Sequence, residues 1–191
     1  MGLLLGFAPL IVFSVLTGLS VDLALWLAFA AAFVIAIRDF AQTRILRMLD
    51  VGSMLLFGSL ALYAGFIQPS LSVEAIRLLV DTGFLIGSCR SLLAGSPFTL
   101  DYLRDETAKE LWETRDFIRS NVVMSGAWLC AFGIMSLVDI AAIFSRKIPL
   151  AVDRATGLVV LAVAIIFTAR YPLQERLQPA RAQRQRIAKR L

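Results

Sequence analysis

The chain of 191 residues contains no histidine. That absence excludes His-ligated haem, His-based zinc centres and nucleophilic catalysis built on a Ser–His or Cys–His pair. Cysteine is almost missing too. Cys89 and Cys130 both fall inside apolar segments, where cysteine acts as a small hydrophobe, and two isolated thiols supply neither a disulfide framework nor metal-ligand spacing. There is no P-loop and no G-x-G-x-x-G, and no ten-residue alternation of the kind a membrane barrel needs. Asp81-Thr82-Gly83 spells one aspartic-protease triplet, but that chemistry needs two carboxylates sharing a site. Ser125-Gly126 lacks a base to activate the hydroxyl. No enzyme activity and no cofactor are expected.

Basic residues are missing from the start of the chain, Met1-Gly2-Leu3-Leu4-Leu5, and no clear small-residue cleavage site follows. The first apolar run is therefore read as a spanning helix and not as a secretory signal. Gly2 does not open a myristoylation site, because position 6 is Gly6.

What the sequence has in excess is apolar length. Hydrophobic residues make up 59% of it and its mean hydropathy is +0.78, against about 45–50% apolar for a soluble domain. A spanning helix needs about 20 mostly apolar residues. Six such stretches are expected, at about 3–20, 21–37, 51–68, 72–94, 120–144 and 155–172. Neither 96–118 nor 173–191 is long enough to hold a core of its own. The expectation is an all-α membrane bundle over 1–174 with a basic tail over 175–191, alone or as a homodimer. Pro9 is expected to kink the first span, and Gly58, Ser59 and Gly65 are small packing positions on the third.

Orientation follows from the short connections. Arg38, Arg44, Arg47, Arg104, Lys109, Arg115, Arg119, Arg170, Arg176, Arg181, Arg184, Arg186, Lys189 and Arg190 fall on one side, whereas only Arg77, Arg146, Lys147 and Arg154 fall on the other. Fourteen against four places both termini in the cytoplasm.

Three connections invite more than topology. Residues 38–50 read either as a helix lying in the interface or as an extension of span two or three. Residues 99–118 read as a short amphipathic cytoplasmic helix, with Tyr102, Leu103, Leu111, Trp112 and Ile118 near one face and an Asp105–Lys109 pair. It either docks a partner, with Tyr102, Leu111 and Trp112 as the contact residues, or rests on the membrane. In the tail, Arg176, Arg181, Arg184, Arg186, Lys189 and Arg190 suit anionic lipids of the cytoplasmic leaflet, at about 1 kcal/mol each. Nothing beyond charge points to nucleic acid, since no aromatic is interleaved.

Charge at membrane depth is a functional hypothesis by default. Glu74, Arg77 and Asp81 share one face of span four at 100° per residue, and Ser88 continues it. Arg90 lies opposite, near the cytoplasmic end, where it can snorkel. Asn121, Ser125, Trp128, Phe132, Ser136 and Asp139 share one side of span five. Because the two spans run in opposite directions, Asp139 falls near the depth of Arg77. These faces are expected to meet, with Arg77 paired to Asp139 or Asp81. Such a stripe serves as a network holding helices together, as a proton or ion relay, or as a polar substrate cavity around Asp81.

The order of these landmarks resembles the intracellular septation protein A family of bacterial inner-membrane proteins over roughly 3–172. Gly6-Phe7-Ala8-Pro9-Leu10-Ile11-Val12-Phe13 is similar to that family's Phe-x-Pro-Leu-Ile-x-Phe opening. Leu55-Leu56-Phe57-Gly58-Ser59-Leu60 is similar to its third-span Phe-Gly-Gly-Leu. Gly95-Ser96-Pro97-Phe98 stands at its break after span four. Pro97-Phe98-Thr99-Leu100-Asp101-Tyr102 resembles the Pro-Phe-Thr-Leu-x-Tyr of related proteins. Ala127-Trp128 with Phe132 matches a family Ala-Trp and nearby Phe, while Ser125 and Asp139 stand where the family has asparagine. The resemblance implies a role in septation, cell division and cell-envelope maintenance at the inner membrane, with membrane proteins of the division or elongation machinery as partners, and no catalytic residue.

Overall fold

The computed structural model describes residues 2–44, 46–105, 107–145 and 149–171. The basic tail, and with it the lipid contacts expected of Arg176 to Arg190, lies outside them. Among the described residues the fold is entirely helical. It comprises α1 (Gly2–Gly6), α2 (Ala8–Leu16), α3 (Val21–Thr43), α4 (Met48–Leu62), α5 (Val73–Leu93), α6 (Leu100–Leu103), α7 (Arg115–Ser145) and α8 (Leu150–Arg170). A π-helical turn, Tyr63–Ile67, extends α4, and a 3₁₀ turn, Lys109–Leu111, precedes α7.

Four of these elements are long and apolar enough to cross a membrane: α3, α4 with its π turn, α7 and α8. The first apolar stretch does not form the single helix expected over 3–20. Pro9 has no N–H to offer the carbonyl of Leu5, and its ring crowds that carbonyl. The chain therefore breaks at Phe7, and Pro9 sits in the first turn of a new helix. The resulting α2 has nine residues and is only about 14 Å long. Helix α5 is long enough, at 21 residues, but Glu74, Arg77, Asp81 and Arg90 keep it out of the apolar set.

Local chemistry sets the boundaries. The Ser20 hydroxyl accepts from the Leu23 N–H at 3.4 Å and caps α3, and Asp22 in the first turn suits the positive helix end. Helix α3 continues to Thr43, so residues 38–43 extend span two and do not form a separate interfacial helix. It stops where Arg44 turns to a left-handed φ of 57°. The Ser72 hydroxyl caps α5 in the same way, accepting from Ala75 N–H at 3.2 Å. Gly95, at φ 68°, ends the run after α5 ahead of Pro97. The amphipathic helix expected over 99–118 is not continuous. One α-turn, one 3₁₀ turn and the early start of α7 at Arg115 replace it.

Helix α5 packs most extensively on α7, α3 on α4 and α2, and α7 on α8, whereas α4 meets α5 sparsely. An aromatic column occupies the middle of the bundle. Phe7 stacks on Trp128 with centroids 3.7 Å apart and meets Phe98 edge-on. Phe132 and Phe84 stack at 5.2 Å, Phe84 reaches Phe57, and Phe57 reaches Phe13. Pairs of this kind contribute about 0.5–1.5 kcal/mol each beyond their area. A satellite core of Leu100, Leu103, Leu111, Phe117 and Met124 lies beneath the connection from α5 to α7.

Candidate functional site

Polar groups gather in two ion clusters at opposite ends of the bundle, with a layer of hydroxyls and amides near one of them.

The first cluster joins α5, α7 and α8. Arg77 donates from Nε to Asp139 Oδ1 at 3.3 Å and lies 3.2 Å from Asp153 Oδ2. Its Nη2 reaches the backbone carbonyl of Asp153 at 3.5 Å. Asp81 adjoins the same group, next to Asp139, Arg77 and Asp153. All four side chains are buried, Asp139 and Asp153 completely. Gly157 makes the room: a Cβ there would lie 2.8 Å from Arg77 Nη2. Three carboxylates thus face one guanidinium away from water. Among the described residues, Asp139 Oδ2, Asp153 Oδ1 and the nearby Ser136 hydroxyl have no hydrogen-bond partner, and Asp153 Oδ2 has only its ion pair with Arg77. Buried charge in this arrangement is expensive unless compensated.

Of the expected partners for Arg77, Asp139 forms an ion pair, and the second ion pair is with Asp153 instead of Asp81. Asp153 stands beside Arg154 just before the span expected at 155–172, so its charge reads as loop. The signal that places it is a buried stripe in α8, Asp153, Gly157, Leu161 and Ala164, which puts an acid at the top of an otherwise small and apolar face. On α5, Arg77, Asp81 and Ser88 are buried, Glu74 is half-buried and Arg90 is exposed. On α7, Asn121, Ser125, Trp128, Phe132, Ser136 and Asp139 are all buried.

The second cluster joins the end of α3, the start of α4 and the segment around α6. Arg47 donates from Nη1 to Asp39 Oδ2 at 2.7 Å, pairs through Nη2 with Asp105, and lies over the Tyr102 ring at 4.5 Å. The Tyr102 hydroxyl donates to Asp50 Oδ1 at 2.7 Å. Arg38 also binds Asp39, at 3.1 Å. Burial above all, then the neighbouring Asp50 carboxylate, raises the Tyr102 phenol above its ordinary range, so it serves as a fixed donor. Gly6 leaves space for it, since a Cβ there would lie 2.7 Å from the Tyr102 oxygen. Sequence reasoning missed Asp39 and Asp50 as site residues, because the participants lie in separate segments with no shared helical spacing.

This geometry corrects the expected docking loop. Tyr102 and Leu111 are 2% exposed and packed inward, so they offer no partner surface. Trp112 remains half-buried. Its indole donates to Thr107 O at 3.0 Å and Arg104 covers its ring at 5.3 Å.

Near the second cluster, the Thr99 hydroxyl lies 2.9 Å from Asn121 Oδ1 and 3.0 Å from Ser125 Oγ, while Asn121 Nδ2 donates to Phe117 O at 2.9 Å. The Phe98 N–H donates to the Ser91 hydroxyl at 3.3 Å. These bonds pin the break after α5 onto α7. Trp128 Nε1 donates to the Thr168 hydroxyl at 3.0 Å and ties α7 to α8. Among the described residues no group of three Cys, Asp or Glu side chains is arranged to hold a metal ion.

Comparison with protein-family models, curated proteins and solved structures finds no match to this chain.

Proposed function

We propose that the chain is a six-span protein of a bacterial inner membrane, with both termini cytoplasmic, and that it serves cell-envelope maintenance and septation as a non-enzymatic factor acting through helix and loop contacts. Besides the four apolar helices, α5 supplies one span, with Arg77 and Asp81 buried toward α7 and α8 and Arg90 exposed near its end. The broken pair α1–α2 supplies the other. The basic residues of the connections support the orientation, and the resemblance to the septation protein A family supports the cellular role.

The observation that carries the non-enzymatic, non-conducting reading is the aromatic column. Phe7, Trp128, Phe132 and Phe84 pack between the Arg77 cluster and the Thr99–Asn121–Ser125 layer. A conduction path needs polar lining along its length; here polar groups occupy the ends and stacked rings the middle. Both ion clusters then act as clasps, one across α5, α7 and α8, the other across α3, α4 and α6. The test is capture in intact membranes. A photoreactive residue replacing Trp112 is expected to cross-link a membrane protein of the division or elongation machinery, and loss of the chain is expected to disturb septation. Normal septation in the chain's absence, with no cross-linked partner, would overturn this reading.

A small transporter or channel using α5 and α7 is the second reading. One observation favours it: three carboxylates share one arginine, and Asp139 and Asp153 carry unpartnered oxygens. It predicts flux that depends on Asp81 and Asp139.

A further inference from the structure

A cavity of about 350 Å³ opens between α4 and α5, the two neighbouring helices that meet sparsely. It lies within the size range of ligand sites, about 300–1,000 Å³. On α4 its open edge follows Met48, Gly52, Leu55 and Ser59, all of them exposed. On α5 it is lined by Gly83 and Gly87, with Leu56 packed over Gly83. Phe84 and Phe98 close it from behind. A Cβ on Gly52 or Gly87 would meet no atom within 4 Å, so the space is open where a side chain would otherwise fill it.

Inside this apolar wall is one unanswered polar group. Ser53 lines the cavity, is 1% exposed, and its hydroxyl has no hydrogen-bond partner among the described residues. A buried hydroxyl left unpaired is costly, which points to an acceptor brought by a ligand. Arg90 is not part of the lining but lies seven residues after Gly83 and three after Gly87, on nearly the same side of α5 as Gly83 and about one turn closer to the helix end. It is exposed and makes no ion pair among the described residues.

The length of the cavity suits a hydrocarbon chain. From Met48 to Ser59 the cavity runs eleven residues along α4, or about 16 Å at 1.5 Å per residue. Half of a bilayer core of about 30 Å is about 15 Å. The cavity is thus a slot about one leaflet long, on the side of Arg90.

We propose that this slot holds one acyl chain of an anionic glycerophospholipid, with its phosphate on Arg90 and an ester carbonyl accepting from Ser53 Oγ. The inference rests on the membrane-spanning reading of α4 and α5 and is independent of the cellular role.

The experiment uses the full chain in nanodiscs with phosphatidylglycerol that carries a diazirine at the end of one acyl chain, and maps the labelled peptides. Labelling is expected at 55–59 and 83–84. It is expected to vanish in the double variant Gly52→Leu, Gly87→Leu, whose new side chains fill open space, and to fall about fivefold in Arg90→Gln. Ser53→Ala is expected to weaken labelling by the ester-linked probe but not by its ether-linked analogue. Because Arg90→Gln and Ser53→Ala leave the packing of the slot unchanged, they decide the matter even if the double variant does not fold. Labelling spread evenly over the exposed apolar positions of α3, α7 and α8 would overturn the proposal by revealing only a lipid annulus. So would labelling indifferent to Arg90→Gln and to the head group, or copies of the chain cross-linked through Leu55 in place of lipid. Failure of the membrane reading is distinguishable: the chain would then be released by alkaline extraction of membranes and no helix would be labelled.

Discussion

Arg47 and Arg77 are both buried arginines with two aspartate partners, but they sit in opposite kinds of cluster. Arg47 is close to solvent on one side. Its partner Asp105 has a side chain 46% exposed, and Arg38, 44% exposed, shares Asp39 with it. Three acids there, Asp39, Asp50 and Asp105, share two guanidinium groups and a phenol donor, and one buried oxygen, Asp50 Oδ2, lacks a hydrogen bond among the described residues. Arg77 has no such relief. Its partners Asp139 and Asp153 are 0% exposed, Asp81 adds a third carboxylate, and several oxygens lack partners. The same residue type therefore serves as a strap at one end of the bundle and, among the described residues, as the one paired countercharge of an acidic pocket at the other. Buried ion pairs are weak evidence of net stabilisation but strong evidence of fragility, because removing one partner strands the rest.

The largest effect expected from this contrast is at Arg77. Arg77→Ala leaves Asp139, Asp153 and Asp81 without their cation and is expected to lower stability by about 3–5 kcal/mol, read as a fall in thermal midpoint in detergent or as loss of folded chain. Charge reversal at both Arg77 and Asp139 is expected to restore part of what either single change removes. An Arg77→Ala variant as stable as the native chain would dissolve the contrast.

Gly157→Ala probes the same cluster without removing a charge. Its Cβ would press on Arg77 Nη2 and displace the guanidinium, at about 1–3 kcal/mol. Gly126→Ala, with nothing within 4 Å of the new carbon, is the control expected to be neutral or slightly stabilising. At the other end, Tyr102→Phe removes the donor to Asp50 and is expected to cost about 1–3 kcal/mol by leaving a buried carboxylate under-satisfied. Asp105→Asn is expected to change stability least, by about 0–1 kcal/mol, since its carboxylate is half in solvent. An unfolding midpoint lower for Asp105→Asn than for Tyr102→Phe would show the second cluster to be held from its solvent side.

Much of the α5–α7 interface was legible because a helix repeats every 3.6 residues. Asp139 and Arg77 could be set at one depth from spacing and direction alone. Asp153 was not, since a charge in the first turn of an apolar helix looks like the loop before it. The Arg47 cluster was invisible for a different reason. Asp39, Arg47, Asp50, Tyr102 and Asp105 come from separate segments, and only the folding of α6 against the starts of α1 and α4 brings them together. Residues 99–118 looked amphipathic because Tyr102, Leu103 and Leu111 are indeed inward-facing, but they are buried by short turns and not by one helix. The cavity between α4 and α5 depends on the absence of side chains at Gly52 and Gly87. In sequence these glycines do not differ from Gly83, where Leu56 already fills the space.

The central claim is that stacked rings close the interior between two polar ends. Proton and small-ion flux into proteoliposomes tests it most directly, comparing the native chain with Asp81→Asn and Asp139→Asn. The account predicts native flux no greater than that of empty liposomes, unchanged by either substitution in folded protein. Native flux above that level, abolished by Asp81→Asn or Asp139→Asn, would contradict it and place a pathway through the Arg77 cluster.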